Sequence, residues 1–200
     1  MLRSIAKQCV SKHRGFTRLA LLSAAVIAAV AASVLCVPGL AGALGAALAV
    51  TMLAIAVIDA RRFIIPDKLV VTALALGVLD AWMVQAEASA AVALLTAALR
   101  GLALAIAFWI LRAAYLRLRG QEGIGLGDVK LAAVGGMWLD PLAIALAIEI
   151  AALAALTVVL MRALRGRRVT GKTPVPFGLF FAPALWMAWL LERSILQAGF

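Results

Sequence analysis

The sequence predicts an all-α fold: a polytopic membrane bundle of about seven transmembrane helices. Three observations predict it. Hydrophobic residue types make up 66% of the chain and charged types 14%, with a mean hydropathy of +1.11, whereas a soluble domain is about half apolar and about a quarter charged. The apolar residues form continuous runs, several approaching the roughly 20 residues that cross a bilayer core about 30 Å thick. Lipid cannot satisfy a bare backbone, so such runs must be helices or a closed barrel, and unbroken runs read as helices. Finally, Lys and Arg collect in short clusters between the runs.

Residues 1–18 are polar and basic, with Arg3, Lys7, Lys12, Arg14 and Arg18. The run that follows, 19–37, has the charged lead of a secretory signal but exceeds the usual length of its apolar core; an uncleaved first span is expected. Pro38, Gly39 and Gly42 punctuate the chain as a turn. A second span covers about 42–58 and ends in the polar stretch DARRFIIPDK, residues 59–68. A third covers about 69–84, closed by Gln85, Glu87 and Ser89. Residues 89–99 are small and apolar and have no firm place. A fourth span covers about 100–118, followed by the loop RGQEGIGLGDVK, residues 119–130. The fifth, about 129–139, is short: 11 residues rise only about 17 Å. Asp140 and Pro141 make a turn, the sixth span covers about 142–161, a basic loop follows, and the seventh covers about 177–191.

An odd number of spans with a cytoplasmic N-terminus puts segments 1–18, 59–68, 112–130 and 162–176 on the cytoplasmic side. They hold 17 of the 19 Lys and Arg residues; only Arg100 and Arg193 fall elsewhere. This is the asymmetry of the positive-inside rule. It also disposes of the net charge of +10, which in a soluble protein would suggest nucleic acid but between membrane spans attracts anionic lipid. The bilayer is the expected partner and nucleic acid is not. Cys9 and Cys36 form no CxxC pair, so no metal site is expected, and they lie near opposite faces. No internal repeat or separate soluble domain is visible; the division is a basic segment, 1–18, and a membrane domain, 19–200.

Ionisable groups at membrane depth are costly and mark function or a partner. Of the nine acidic residues, Asp59 and Asp128 stand out. Asp59 closes the apolar run TMLAIAVID, and Asp128 lies in GIGLGDVKL, both on the predicted cytoplasmic face. Glycines allow close backbone approach, as a peptide substrate beside a carboxylate requires. Two carboxylates held together share a proton: one draws a proton from water, the other donates to the scissile carbonyl. Residue chemistry alone leaves open two solvated helix-end aspartates, since a helix N-terminus favours a negative group. Glu149 and Asp80, inside spans six and three, are expected to hydrogen-bond neighbouring helices in protonated form, with a proton path as the alternative. The tryptophans are expected to include interface anchors.

IDARRFIIPDKL, residues 58–69, resembles the first signature of the type IV prepilin peptidase family. GIGLGDVKLAAVGGMWL, residues 123–139, is similar to its GxGD signature, and TPVPFGLFFAPALWMAWL, residues 173–190, to its closing Pro-Phe-Gly helix. All three occur in the family's order. The resemblance implies a six-helix protease core preceded by an N-terminal helix, with Asp59 and Asp128 as catalytic aspartates and Gly125 and Gly127 as the turn holding the second. It implies supporting roles for Pro66, Lys130, Pro176, Phe177 and Gly178, with Lys130 read as a surface anchor before a tuner of the pair. It further implies an aspartic endopeptidase without metal or cofactor in a bacterial cytoplasmic membrane, removing the short basic leader of prepilins or pseudopilins. The family's cytoplasmic insertion with paired CxxC motifs, linked to N-methylation, has no counterpart in this sequence, so methyl transfer is not expected. A small proton-coupled transporter and a non-catalytic assembly subunit are the alternatives.

Overall fold

A computed structural model describes residues 20–83, 89–120, 123–166 and 175–198. Among them lie seven helices: α1 (Ala20–Cys36), then α2 (Leu40–Arg62), α3 (Asp67–Met83), α4 (Ala90–Arg119), α5 (Leu126–Trp138), α6 (Pro141–Leu164) and α7 (Gly178–Ala198). No strand occurs among the described residues. Three helices, α2, α4 and α6, are long and apolar enough to cross a membrane. The chain is an all-α membrane bundle, as composition predicts. The basic segment 1–18, the cluster around Glu87, and Arg167, Arg168 and Lys172 lie outside the described residues.

Two elements differ from the sequence reading. Residues 90–99, unplaced by composition, form the first turns of a 30-residue α4; no proline or polar break separates them from 100–118. The short fifth span begins earlier, at Leu126, and remains only 13 residues long, about 20 Å. Most of its residues are buried. α5 packs against α4, α3 and α7 and buries Leu131, Val134, Met137 and Trp138. Neighbouring helices enclose it, so its length need not match the bilayer.

Small residues make this enclosure possible. A Cβ on Gly136 would lie 2.6 Å from the Arg100 carbonyl oxygen, and one on Gly101 2.9 Å from that of Ala133. α4 and α5 thus meet backbone to backbone, the close approach that small residues permit between membrane helices. α7 closes the other side, with Phe181, Leu185, Ala188 and Trp189 in the core. The tryptophans divide. Trp138 and Trp189 meet edge to face at 6.2 Å inside the bundle, Trp186 donates to Ser33 Oγ at 3.0 Å, and Trp82 and Trp109 are exposed, as anchors would be.

The end of the bundle beyond the α5 C-terminus holds paired charges. Arg193 of α7 bonds Asp80 of α3 at 2.8 Å, with the carboxylate side chain fully buried. Arg100 of α4 bonds Asp140, the residue that precedes α6, whose amide donates to Glu192 at 3.2 Å. The two cations outside the basic segments are therefore both neutralised by acids. Asp80, expected to hydrogen-bond a neighbouring helix, does so through an ion pair with Arg193 of α7. Glu149 is exposed on α6, not packed against a neighbour.

Removing one member of a buried ion pair strands the other, at a cost of about 3–5 kcal/mol. Arg193→Met is expected to lower the unfolding free energy in detergent by about that amount. The double variant Asp80→Leu/Arg193→Met should recover most of it, as followed by thermal unfolding.

Candidate functional site

α2 carries Asp59 in its last turn and ends when Phe63 turns into the left-handed region at φ 55°. The Phe63 amide closes that turn on the Asp59 carbonyl at 2.9 Å. The chain then reverses through Ile64, Ile65 and Pro66. Pro66 holds the preceding residue extended, and its own carbonyl accepts from the Leu69 and Val70 amides at 3.1 and 3.2 Å, starting α3. Asp67 opens that helix, where its charge suits the positive end of the dipole.

The second carboxylate comes from the start of α5. Gly125 is its N-cap, the Gly125 carbonyl accepts from the Asp128 amide at 3.1 Å, and the Gly125 amide donates to Asp128 Oδ2 at 3.2 Å. This reciprocal pair fixes the Asp128 side chain over the first turn. Gly125 has an ordinary φ of −71°, and an added Cβ would make only van der Waals contact, so nothing here demands glycine. Gly127 is different: its Cβ would lie 3.0 Å from three carbons of Ile65.

The third segment, Pro176–Phe177–Gly178, brings the α7 N-terminus onto Asp59. The Leu179 amide donates to Asp59 Oδ2 at 2.9 Å, and the Gly178 amide adds to the same field. A side chain at Gly178 would stand 3.0 Å from that oxygen, so glycine is the residue that lets α7 reach the carboxylate. Phe177 starts the helix through its carbonyl and packs on Phe181 at 5.3 Å.

The structure thus brings Asp59, Asp128, Pro66, Lys130, Pro176 and Phe177 to one cavity of about 1500 Å³. Both carboxylates are largely buried. Lys130 bonds Asp67, not either aspartate of the pair, and so ties the α3 start to α5. Its partner, and Ile65 between the two glycines, are the site residues that sequence reasoning did not single out. Ile65 lies inside the quoted first signature, but only its contacts distinguish it from Ile64. No cluster of three or more His, Cys, Asp or Glu placed to hold a metal ion occurs among the described residues.

Asp128 sits in the first turn of a helix too short to cross a bilayer. Burial pushes its carboxyl up to about 6, opposed by the Gly125 amide and reinforced by the charge of Asp59. A carboxyl raised in this way, with a second carboxylate contributing to the shift, is the electrostatic pattern of a coupled pair.

Residues 46–160 match the model of the type IV leader peptidase family, a stretch that contains both aspartates. The chain is 37% identical over 158 residues to a prepilin leader peptidase/N-methyltransferase of Pseudomonas aeruginosa, covering 74% of this chain and 51% of that protein. It is 36% identical over 157 residues to the protein of that name in Burkholderia pseudomallei, covering 77% and 48%. For the one in Pectobacterium carotovorum the identity is 34% over 160 residues, covering 78% and 54%. The chain spans about half the length of the curated relatives it matches. No solved structure matches it significantly.

The raised Asp128 carboxyl makes a signed stability prediction. The folded state holds a proton that the unfolded chain releases near 3.8, so this contribution is full below about pH 4 and is lost as pH rises through about 6. Asp128→Asn is expected to match the parent near pH 4 and to exceed it above pH 7 by up to about 3 kcal/mol. Thermal unfolding across pH 4–8 measures the difference.

Proposed function

The chain belongs to the type IV leader peptidase family, and on that premise we propose that it is a membrane aspartyl endopeptidase that removes the short basic leader of prepilins or pseudopilins at the cytoplasmic face of a bacterial inner membrane. One observation carries the reading: Asp59 and Asp128, from separate signatures, enter a single cavity at the same end of the bundle. With one proton between them, the ionised carboxylate takes a proton from water as its oxygen attacks the scissile carbonyl. The protonated carboxyl donates to the carbonyl oxygen. Collapse of the tetrahedral intermediate breaks the C–N bond, and the departing nitrogen takes up a proton. The pair titrates as a unit, so neither residue is assigned a fixed role.

The cavity walls support a helical substrate. Phe108 and Leu111 of α4 line one side, and Ala155, Leu156 and Val159 of α6 the other; α4 packs chiefly on α5, and α6 on α7. A helix about 10 Å wide rising 1.5 Å per residue occupies roughly 120 Å³ per residue. The cavity then takes about a dozen residues, near half the thickness of the bilayer core. An apolar substrate helix lying between α4 and α6 would present its cytoplasmic junction to the carboxylates. The basic segments repel a basic leader, so helix docking drives recognition. Lys and Arg placement supports an N-terminus on the cytoplasmic side.

Asp80 is engaged by Arg193, which removes it from a proton relay, so the transporter reading has no observation in its favour. The paired CxxC motifs are absent from the sequence, and the proposal covers proteolysis alone.

Cleavage of a co-expressed prepilin in membranes tests the proposal. The parent is expected to cut at the leader junction, and Asp59→Ala and Asp128→Ala to lose activity by a factor of 10³ or more, roughly 4 kcal/mol of barrier, while inserting normally. A variant that cuts at the parent's rate would exclude that aspartate. A soluble leader-junction peptide without the apolar helix should be cut poorly by the parent.

A further inference from the structure

Ile65 occupies an unusual place. It is 7% exposed, and it lies between the segment that carries Asp128 and the α7 start whose amide holds Asp59. On one side lies Gly127, immediately before Asp128, where a Cβ would fall 3.0 Å from Ile65 Cβ, Cγ1 and Cδ1. On the other lies Gly178, immediately before the Leu179 amide that holds Asp59, where a Cβ would fall 2.9 Å from Ile65 Cδ1. One aliphatic side chain therefore touches the residue preceding each polar contact. Pro66 restricts the Ile65 backbone to extended conformations, and a β-branched side chain is stiff about its first torsion. Outside this contact, the Lys130–Asp67 ion pair joins the α3 start to α5.

We infer that Ile65 is a positioning residue, an incompressible spacer that sets how far apart Asp59 and Asp128 stand. It acts through Gly127 and through Gly178, not as a reacting group. An interior packed as densely as an organic crystal transmits such a displacement directly, and misplacement of reacting groups by about an ångström costs on the order of 10²-fold in rate. The charged pair outside ties α5 to the α3 start just after Ile65, so a smaller side chain at 65 leaves the space between Gly127 and Gly178 unfilled. This inference rests on the peptidase reading for its kinetic consequences, but not for its structural ones.

The two glycines make the test specific. Ile65→Ala is expected to lower kcat on a prepilin at least about tenfold, with KM within about twofold, and to move a limb of the pH–rate profile by about half a unit or more. Ile65→Val, which loses only Cδ1, should fall between. Gly127→Ala should be impaired, and Gly127→Ala/Ile65→Ala should be measurably faster than Gly127→Ala, because two of the three carbons nearest the new methyl, Ile65 Cγ1 and Cδ1, are removed while Cβ stays. Gly178→Ala/Ile65→Ala should be no faster than Gly178→Ala, because Asp59 Oδ2 still stands 3.0 Å from the new methyl. Absence of the first rescue, or an Ile65→Ala loss confined to KM with the parent's pH profile, overturns the spacer. The pH window of thermal unfolding reads the same carboxyl pair without substrate. A parent that cleaves no prepilin, with that window moved in Ile65→Ala, removes the peptidase reading and leaves the spacer standing; an unmoved window overturns the spacer whatever the parent cleaves.

Discussion

The hydrogen bond from the Leu179 amide to Asp59 Oδ2, across 120 residues of sequence, is the contact on which the arrangement of this end of the bundle depends. A carboxylate at the edge of an apolar span needs donors to remain charged at acceptable cost. The start of α7 supplies backbone amides and the positive end of a helix dipole, and it can do so only because Gly178 leaves no methyl in the way. Once α7 is seated there, Ile65 is enclosed between it and α5, and the position of Asp128 follows. The Pro-Phe-Gly segment is thus part of the site, not a distant structural helix.

The two ends of the bundle treat charge differently. At the far end every described cation is matched: Arg193 by Asp80, Arg100 by Asp140. Those pairs fasten α3 to α7 and α4 to the start of α6, framing the short α5 from its C-terminal side. At the near end the two carboxylates line one cavity with backbone amides as their partners, and Lys130 is turned aside onto Asp67. Asp128 therefore keeps an elevated proton affinity instead of being quenched by a cation two residues away. An ion-paired end and an open, acid-lined end suit the proposed confinement of chemistry to one face.

Much of this was legible in the sequence because membrane physics writes plainly. Apolar runs, basic clusters and the aspartates closing or opening a run all follow from one-dimensional rules, and Asp59, Asp128 and the three signature segments converge as their context implies. Residues 90–99 were not legible, because small apolar residues suit a helix turn and a loop equally well. Nor was the enclosure of α5: length told that it was short, while Gly101 and Gly136 meeting across α4 and α5 is a fact of packing. Asp80 looked like an isolated carboxylic acid because its partner, Arg193, lies 113 residues on. Gly125 and Gly127 looked alike in the motif, and only contact with Ile65 shows that one of them is sterically required.

The central claim is that Asp59 and Asp128 form one electrostatic unit. An infrared titration of the carboxyl stretch in the purified protein, comparing the parent with Asp59→Asn and using Asp128→Asn to assign the band, tests it without any substrate. The account predicts that Asp128 titrates near 6 in the parent and at lower pH once the charge at Asp59 is removed. An Asp128 midpoint unchanged in Asp59→Asn would mean that the two carboxylates do not sense each other, and would contradict a shared-proton pair.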